Sequence, residues 1–377
     1  MKIGILTQPL HNNYGGILQA FALQTTLQRL GHEPWILQRE FNYNELRFWW
    51  HYNAGNVARA LLGKPLPPFT WEKYKHPESP FTHAFINEHI RPRTPYLLTT
   101  RSLREECSRL ALDAYVVGSD QVWRPMYSPR IEDYFLGFLA PDDDALRIAY
   151  SASFGTDDWE YSPGQAARCA ALLQRFSAVS VRERGGISLC SRLGRKDAIQ
   201  TLDPTLLLSP ADYEALAAGA APSPGRLFCY VLDRSASKKE LIRNTSAQTG
   251  LPAFEVMPAI AAERRKKSPD IVYPSPAQWL RAFMDAEAVI TDSFHGTVFS
   301  ILFHRPFVAL GNTARGQARF ISLLALFGLE HRLLPATTSA QQISAALREP
   351  VDWDSTDRRL NQMREVSIQF LTKSLKR

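Results

Sequence analysis

The residues best suited to chemistry lie in the stretch 288–319, with the sequence AVITDSFHGTVFSILFHRPFVALGNTARGQAR. Its apolar start, Ala288–Ile290, predicts a buried strand, and the Thr-Asp-Ser that follows is typical of the beginning of a helix. His295 and Gly296 then fall in the first helical turn, where free N–H groups and the positive end of the helix dipole attract anions. The stretch therefore predicts an anion site that contains a histidine able to transfer a proton.

This predicted helix is followed by a second strand, Phe307–Leu310, and by a loop, 311–319, that carries Arg315 and Arg319. This order of elements (a strand, a helix start, a second strand and a basic loop) is found in half of a doubly wound α/β domain. In such domains the ligand-binding groups lie at the carboxyl ends of the strands. The order therefore assigns both arginines to the anion site.

Two further predicted strands end in polar or charged residues. The strand within DAYVVGSD leads to four candidate cleft residues, Ser119, Asp120, Gln121 and Trp123. The strand Ala178–Val181 leads to Arg182. From the residues alone, Arg182 is either a clamp for a phosphate or carboxylate or the partner of Glu183 in an ordinary ion pair, and the ion pair is favoured.

The N-terminus predicts a Rossmann-like unit, in which strands Lys2–Leu6 and Pro34–Gln38 flank a helix at 17–30. The unit lacks a GxGxxG motif. Its loop supplies four more cleft candidates, Asn13, Tyr14, Gly15 and Gly16. Tandem glycines at a helix start let the backbone approach a ligand closely, although an ordinary turn would use one glycine as readily.

The chain of 377 residues is long enough for two α/β domains. We predict an N-terminal domain at 1–208, a boundary in a stretch rich in Ala, Gly and Pro, and a C-terminal domain at 226–350. The segment 351–377 predicts a helix that packs back on the first domain. Residues 41–80, rich in aromatic residues and proline, are either a flap over an acceptor or a surface excursion, and the excursion is slightly favoured.

Composition excludes several classes of protein. The 44 Lys and Arg against 37 Asp and Glu give a net charge of +7, which suits anionic substrates, but no nucleic-acid-binding motif accompanies it. The four cysteines are widely spaced without a CxxC, so we expect reduced thiols and no zinc site. No apolar run reaches the ~18 residues needed to span a membrane, and no signal peptide is evident, so we expect a cytoplasmic protein.

The chain resembles the polysaccharide pyruvyl transferase family from Ile3 to Leu333, in six ordered segments: NYGGILQAFALQ, VVGSDQVW, YSASFG, VSVRE, LDPTLLL and TDSFHGTVFSILFHRPF. The resemblance implies a glycosyltransferase-B-like fold, with two Rossmann-like domains facing each other across a cleft. It also implies transfer of a pyruvyl group from phosphoenolpyruvate to two hydroxyls of a sugar. The products would be a ketal, in a cell-surface polysaccharide or its lipid-linked precursor, and phosphate.

The same resemblance assigns roles to residues. In the family, three basic positions are associated with phosphoenolpyruvate, and they fall here on Arg182, His295 and Arg315, the last where relatives commonly have lysine. We add Ser293, Gly296 and Arg319 to the predicted donor site. We expect His295 to be catalytic, because addition at C2 requires protonation of C3 and removal of the hydroxyl proton. Better-studied relatives often carry a Gly-rich loop where this chain has Ser-Asp-Gln, which leaves its acceptor open.

Phosphoenolpyruvate is thus the expected donor, with no separate cofactor and no metal, and a glycan is the expected acceptor. A polyprenyl-phosphate-linked glycan would place the protein at the inner face of the membrane as a peripheral protein. A nucleotide-sugar-dependent glycosyltransferase is the second hypothesis, with Glu287 and Asp292 as candidate ribose-binding carboxylates. A non-catalytic sugar- or phosphate-binding relative is the third, and the joint presence of Arg182, His295 and Arg315 argues against it.

Overall fold

The computed structural model describes residues 1–42, 79–258, 272–311 and 317–376. In these ranges the chain forms two parallel sheets flanked by helices, which confirms the predicted α/β class. The strands of one sheet come from the first 200 residues, and those of the other come from 227–334. The predicted domain limits stay a prediction.

The first sheet has six parallel strands: β1 Lys2–Leu6, β2 Glu33–Ile36, β3 Ala114–Val117, β4 Leu146–Ala152, β5 Ala178–Val181 and β6 Ile199–Gln200. Their spatial order is β2-β1-β3-β4-β5-β6. The inner strands β3 and β4 are almost wholly buried, because helices cover both faces of the sheet, and this explains why they form continuous apolar runs in the sequence.

The helices of the first half are α1 Tyr14–Arg29, α2 Pro80–His89, α3 Thr100–Leu110, α4 Pro163–Leu173, α5 Arg184–Arg192 and α6 Pro210–Leu216. Helix α1 begins three residues earlier than predicted, with Asn13 at its N-cap. Tyr14, Gly15 and Gly16 are therefore helical and do not belong to the preceding loop. Short 3₁₀ turns at Pro125–Tyr127 and Pro204–Leu206 follow the ends of β3 and β6.

The second sheet has five parallel strands: β7 Leu227–Tyr230, β8 Ala253–Phe254, β9 Ala288–Thr291, β10 Phe307–Leu310 and β11 Leu333–Leu334. Their order is β11-β10-β9-β7-β8. The helices are α7 Ala236–Thr249, α8 Pro276–Asp285, α9 Phe294–Leu302, α10 Ala318–Phe327, α11 Ala340–Arg348 and α12 Trp353–Ser374. The predicted loop 311–319 was too long, since α10 begins at Ala318 and contains Arg319.

The two halves share one hydrophobic cluster, which includes residues of both sheets. Tyr14 of α1 stacks on Trp279 of α8, with ring centroids 5.5 Å apart. Helix α10 also contacts the first half, because the backbone N–H of Arg184 donates to Ser322 Oγ at 2.9 Å. The carboxyl ends of the two sheets are thereby brought to one place.

Helix α12 returns from the second half to the first. Arg364 donates to the carbonyl of Leu208 at 2.8 Å, and Ser367 Oγ accepts from the N–H of Leu202 at 3.0 Å. These bonds fix the segment that follows β6, which carries a residue of the site described below. Among the described residues, no helix is both long enough and apolar enough to cross a membrane.

Candidate active site

The predicted anion site lies where β9 ends and α9 begins. Ser293 caps the helix, since its Oγ accepts a hydrogen bond from the N–H of Gly296 at 3.3 Å. The N–H groups of Phe294 and His295 make no hydrogen bond within the described part of the chain, as is usual in the first turn of a helix. Two donors therefore remain for an anion at this end of the helix dipole.

His295 lies between the two halves with its side chain only 8% exposed. Its Nε2 is 3.5 Å from Asp203 Oδ2, which belongs to the first half. The ring also lies directly over Gly15 at the start of α1, where an added Cβ would stand 2.0 Å from Nδ1. Nε2 faces Asp203 without forming a hydrogen bond among the described residues, and Nδ1 is the nitrogen that packs against Gly15.

Arg182 follows β5 and is buried among carboxylates. Its Nε lies 2.9 Å from Glu183 Oε1, and its terminal nitrogens lie 2.9 Å from Asp203 Oδ2 and 3.4 Å from Asp120 Oδ1. The ion pair with Glu183 that the residues alone favoured is confirmed, and two more carboxylates share the arginine. Burial lowers the pKa of Arg182, but the three carboxylates raise it more, so the guanidinium stays charged.

Asp203 connects these groups, and no role was predicted for it from the sequence. Its Oδ1 accepts hydrogen bonds from Thr205 N at 3.0 Å and Thr205 Oγ1 at 2.7 Å, while Oδ2 faces His295 and Arg182. Burial raises the pKa of Asp203, but the charges of His295 and Arg182 lower it well below its usual range. The signal that could have found it is an Asp-Pro pair directly after a predicted strand.

Arg319 supplies a second guanidinium at the same place. It lies in the first turn of α10 and is half-buried. Burial and the nearby charge of Arg182 lower the pKa of Arg319, and the carboxylates of Glu183 and Asp120 offset part of this effect. The second half therefore contributes His295, Arg319 and the α9 N–H groups, and the first half contributes Arg182 with its carboxylates.

Two of the predicted cleft residues lie in the core instead. Trp123 is fully buried, stacks on Phe135 at 5.0 Å, and donates its indole N–H to the carbonyl of Tyr134. Tyr14 is 1% exposed, and its hydroxyl donates to the carbonyl of Pro274 at 2.8 Å. Neither ring is open to an acceptor, because each packs among other aromatic side chains. The prediction that they line the cleft is corrected accordingly.

Of the remaining cleft candidates, Ser119 supports the backbone, whereas Gln121 and Asn13 are at least partly exposed. Ser119 is fully buried and donates its hydroxyl to the carbonyl of Ser151 at 2.7 Å, so it holds the backbone and offers nothing to a ligand. Gln121 is half-buried, and its side-chain oxygen lies 3.3 Å from a nitrogen of Arg124. Asn13 is exposed at the N-cap of α1, where its side-chain amide covers Gly16.

Two predictions cannot be placed. Arg315 and most of the 41–80 segment lie outside the described residues, so the predicted phosphate contact and the choice between flap and excursion stay predictions. Among the residues that are described, no group of three or more His, Cys, Asp or Glu side chains has the arrangement of a metal site.

The two carboxylates that were candidates for binding the ribose of a nucleotide sugar both pair with other groups of the protein. Glu287 precedes β9, at the end of the strand away from His295, and pairs with Arg226. Asp292 is buried, and it accepts hydrogen bonds from Lys238 Nζ at 2.8 Å and from the N–H of Leu232 at 2.6 Å. Neither carboxylate is presented to a ribose in this arrangement.

A family model described as polysaccharide pyruvyl transferase matches residues 13–313. No curated protein matches the chain.

Solved structures match over nearly the whole length. UDP-GlcNAc 2-epimerase from Neisseria meningitidis, bound to UDP-GlcNAc, is 11% identical with a TM-score of 0.53, and the match covers 99% of this chain and 100% of that one. The corresponding enzyme from Methanocaldococcus jannaschii is 10% identical with a TM-score of 0.52, covering 93% of each chain. UGT89C1 of Arabidopsis thaliana, complexed with quercetin, is 11% identical with a TM-score of 0.50, covering 97% and 94%. At these identities the likeness shows the fold alone, which is the predicted glycosyltransferase-B-like one.

Proposed function

Because the chain belongs to the polysaccharide pyruvyl transferase family, we propose that it transfers the pyruvyl group of phosphoenolpyruvate to two hydroxyls of a sugar. The sugar belongs to a cell-surface polysaccharide or its lipid-linked precursor, and the products are a ketal and phosphate. The observation that carries the proposal is the convergence of His295, Arg319 and the free N–H groups of α9 on the Arg182 cluster.

Phosphoenolpyruvate has a phosphate and a carboxylate, so its site needs several donors that converge from different directions. The first turn of α9 offers two N–H groups, and Arg319 offers a guanidinium. Arg182 directs three of its five N–H donors at carboxylates, and we propose that the other two reach the donor substrate. We therefore assign donor binding to the N–H groups of Phe294 and His295, to Arg319 and to Arg182. Ser293 and Gly296 support this turn, since they bond to each other.

The charge balance favours a further cation. Three carboxylates, those of Asp120, Glu183 and Asp203, face the two guanidiniums of Arg182 and Arg319. This leaves no positive excess from fixed charges to hold a multiply charged anion. Arg315, four residues before Arg319, is the residue we propose to supply it, and as an arginine it would grip a phosphate with two parallel hydrogen bonds.

His295 is the residue we propose to move protons. Asp203 beside Nε2 and Gly15 beside Nδ1 hold the imidazole in one orientation, and we propose that one ring nitrogen reaches the bound donor. Protonation of C3 from this nitrogen makes C2 electrophilic, which allows a sugar hydroxyl to add. The same nitrogen can then accept a proton from the second hydroxyl.

The acceptor that we propose is a glycan carried on polyprenyl phosphate at the inner face of the membrane, where the protein would bind peripherally. The net charge of +7 supports contact with an anionic carrier or surface. Faster turnover of a lipid-linked glycan than of the same free glycan would support this assignment, and equal rates would argue against it.

The direct test is phosphate release from phosphoenolpyruvate across a panel of free and lipid-linked glycans, with product mass to detect the ketal. We expect release only when both donor and glycan are present. Consumption of UDP- or GDP-sugars without phosphoenolpyruvate would indicate a glycosyltransferase instead. Thermal stabilisation by phosphoenolpyruvate without turnover on any glycan would indicate a binding protein.

A further inference from the structure

The three carboxylates around Arg182 are not equally engaged. Asp203 uses both of its oxygens, as described above. Glu183 accepts from Ser153 Oγ at 2.8 Å and from Arg182 Nε at 2.9 Å, both on Oε1. The side chain of Asp120 has a single hydrogen bond within the described part of the chain, a long one of 3.4 Å from Arg182 to Oδ1. Asp120 is therefore the carboxylate with most capacity left for a substrate.

The backbone of Asp120 has an unfavourable conformation. Its φ is +68°, in the left-handed region that non-glycine residues rarely adopt. Its carbonyl accepts from Val122 N at 2.7 Å and from Ser153 N at 3.0 Å, so the turn is fixed on both sides. Unfavourable backbone conformations that the surroundings enforce are concentrated at functional sites. Here the result is a carboxylate placed at the end of β3, beside both guanidiniums.

An exposed aromatic ring follows Asp120 on the 3₁₀ turn after β3. Tyr127, on the 3₁₀ turn that follows β3, is 44% exposed, and the guanidinium of Arg124 covers one face of its ring at 4.7 Å. Both Tyr127 and Asp120 lie close enough to Arg319 to raise the pKa of its guanidinium, against the larger effect of burial. An aromatic face next to a carboxylate can hold the C–H face of a sugar ring while the carboxylate meets a hydroxyl.

We propose that Asp120 is the catalytic base that removes the proton from the first acceptor hydroxyl, an assignment that rests on the proposed pyruvyl transfer. The O–H bond of the sugar breaks, its proton passes to Asp120, and the oxygen forms a bond to C2. At the same time the C2–C3 double bond takes a proton from His295 at C3. The result is an intermediate whose C2 carries the sugar oxygen, the phosphate, the carboxylate and the methyl group.

The second half of the reaction restores both groups. The C2–O bond to phosphate breaks, phosphate leaves with the electron pair, and it receives the proton held by Asp120. The second sugar hydroxyl bonds to C2 and gives its proton to His295. Of the two hydroxyl protons, one ends on the ketal methyl group and one on phosphate, so no other reactant is needed.

The test uses Asp120→Asn and Asp120→Gly with phosphate release and ketal formation as readouts. Asparagine keeps the shape of the side chain without its basicity, and we expect kcat to fall ~10²–10⁴-fold with donor KM changed little. Glycine suits the positive φ, so Asp120→Gly should melt no lower than wild type while losing activity. Added formate should restore part of that activity, which no loss of structure would allow.

Glu183→Gln is the matched comparison, because Glu183 borders the same arginine, and we expect a smaller loss. Asp120→Asn with near-normal kcat, or a large loss in Glu183→Gln alone, would overturn the assignment. So would an Asp120→Gly variant that folds, is inactive and does not respond to formate. If wild type itself fails to release phosphate from phosphoenolpyruvate with any glycan, the proposed function fails and the base assignment fails with it.

Discussion

The carboxyl ends of the two sheets use acidic residues in opposite ways. At the first sheet, Asp120, Glu183 and Asp203 all face Arg182, and one of them reaches across to the second half. At the second sheet, Asp292 is turned inward, where Lys238 and two backbone N–H groups neutralise it. The carboxyl edge of the second sheet (the second edge) presents N–H donors and an imidazole, and its acidic residues Asp233 and Asp292 are both paired with Lys238.

This difference indicates a division of labour. We expect an anionic donor to be attracted by the second edge, where the first turn of helix α9 has two N–H groups available. The first edge carries the three carboxylates that face Arg182, one of which we propose as the base. Asp203 joins the two, because it contacts both Arg182 and His295. Variants on either edge, or at Asp203 between them, test this division.

The largest effect is expected where the first half touches His295. Gly15→Ala would put a Cβ 2.0 Å from Nδ1, so the ring must move, and we expect activity to fall ~10²–10⁴-fold. Gly16→Ala is the control, since its Cβ would meet only the exposed side-chain amide of Asn13 at 3.2 Å. Steady-state rates for the two variants decide the matter, and equal activities would show that close packing on His295 is not required.

The next prediction compares a buried carboxylate from each edge. We expect Asp203→Asn to lower kcat by about 10²-fold, because His295 loses the partner that orients it. Asp292→Asn should instead cost mainly stability, on the order of 3–5 kcal/mol for breaking a buried pair, with kcat of the folded protein largely kept. Similar losses of kcat in both variants would contradict the division of labour.

The free energy of unfolding, measured with denaturant, should depend on pH differently in wild type and in Asp203→Asn. The pKa of Asp203 is lowered in the folded state, so its stabilisation is fully present above the unfolded-state value of about 3.9 and is lost as pH falls through the folded-state value. The stability difference between wild type and Asp203→Asn should therefore shrink below about pH 4. A difference that is constant with pH would mean that the charge of Asp203 contributes little.

The affinity for phosphoenolpyruvate tests whether the second edge binds the donor. If the charge balance is as described, Arg315→Ala should weaken phosphoenolpyruvate binding by ~2–3 kcal/mol, the loss of one charge-assisted hydrogen-bonded pair. Titration calorimetry measures this directly, with Arg305→Ala as a control, since Arg305 donates to the carbonyl of Met284 away from the site. An unchanged affinity in Arg315→Ala would remove that residue from the donor site.

The smallest effect on turnover is expected from the removal of metal ions. We propose cationic partners for the donor's charge at both edges, so we expect turnover to survive EDTA unchanged. Phosphate release measured with EDTA and with added magnesium would check this. A strict need for a divalent ion would mean that the positive charge at the second edge is supplied differently.

Much of this arrangement follows from the sequence, because the strand ends are marked by local signals. The strands Ala178–Val181 and Phe307–Leu310 were predicted with their observed limits, and the start of α9 follows from the Thr-Asp-Ser before it. His295 could be placed at a helix N-terminus on that basis alone. Parallel strands then bring such ends to one edge of a sheet.

What could not be predicted depends on contacts between distant segments. The role of Asp203 is set by Arg182 and His295, which are far from it in sequence, and no local pattern encodes that meeting. Trp123 was placed in the cleft because it follows a strand end, but its large apolar surface is satisfied by the aromatic core. The two adjacent glycines also look alike in the sequence, whereas only Gly15 touches the His295 ring.

The most direct test of the account is the His295→Gln variant, analysed for both kcat and donor KM. Glutamine keeps a polar group of similar reach, so donor binding by the arginines and the α9 N–H groups should be preserved. We predict that kcat falls ~10²–10⁴-fold while the KM for phosphoenolpyruvate changes little. A rise in that KM with kcat unchanged would show that His295 only anchors the donor, and would contradict its role in moving protons between the two edges.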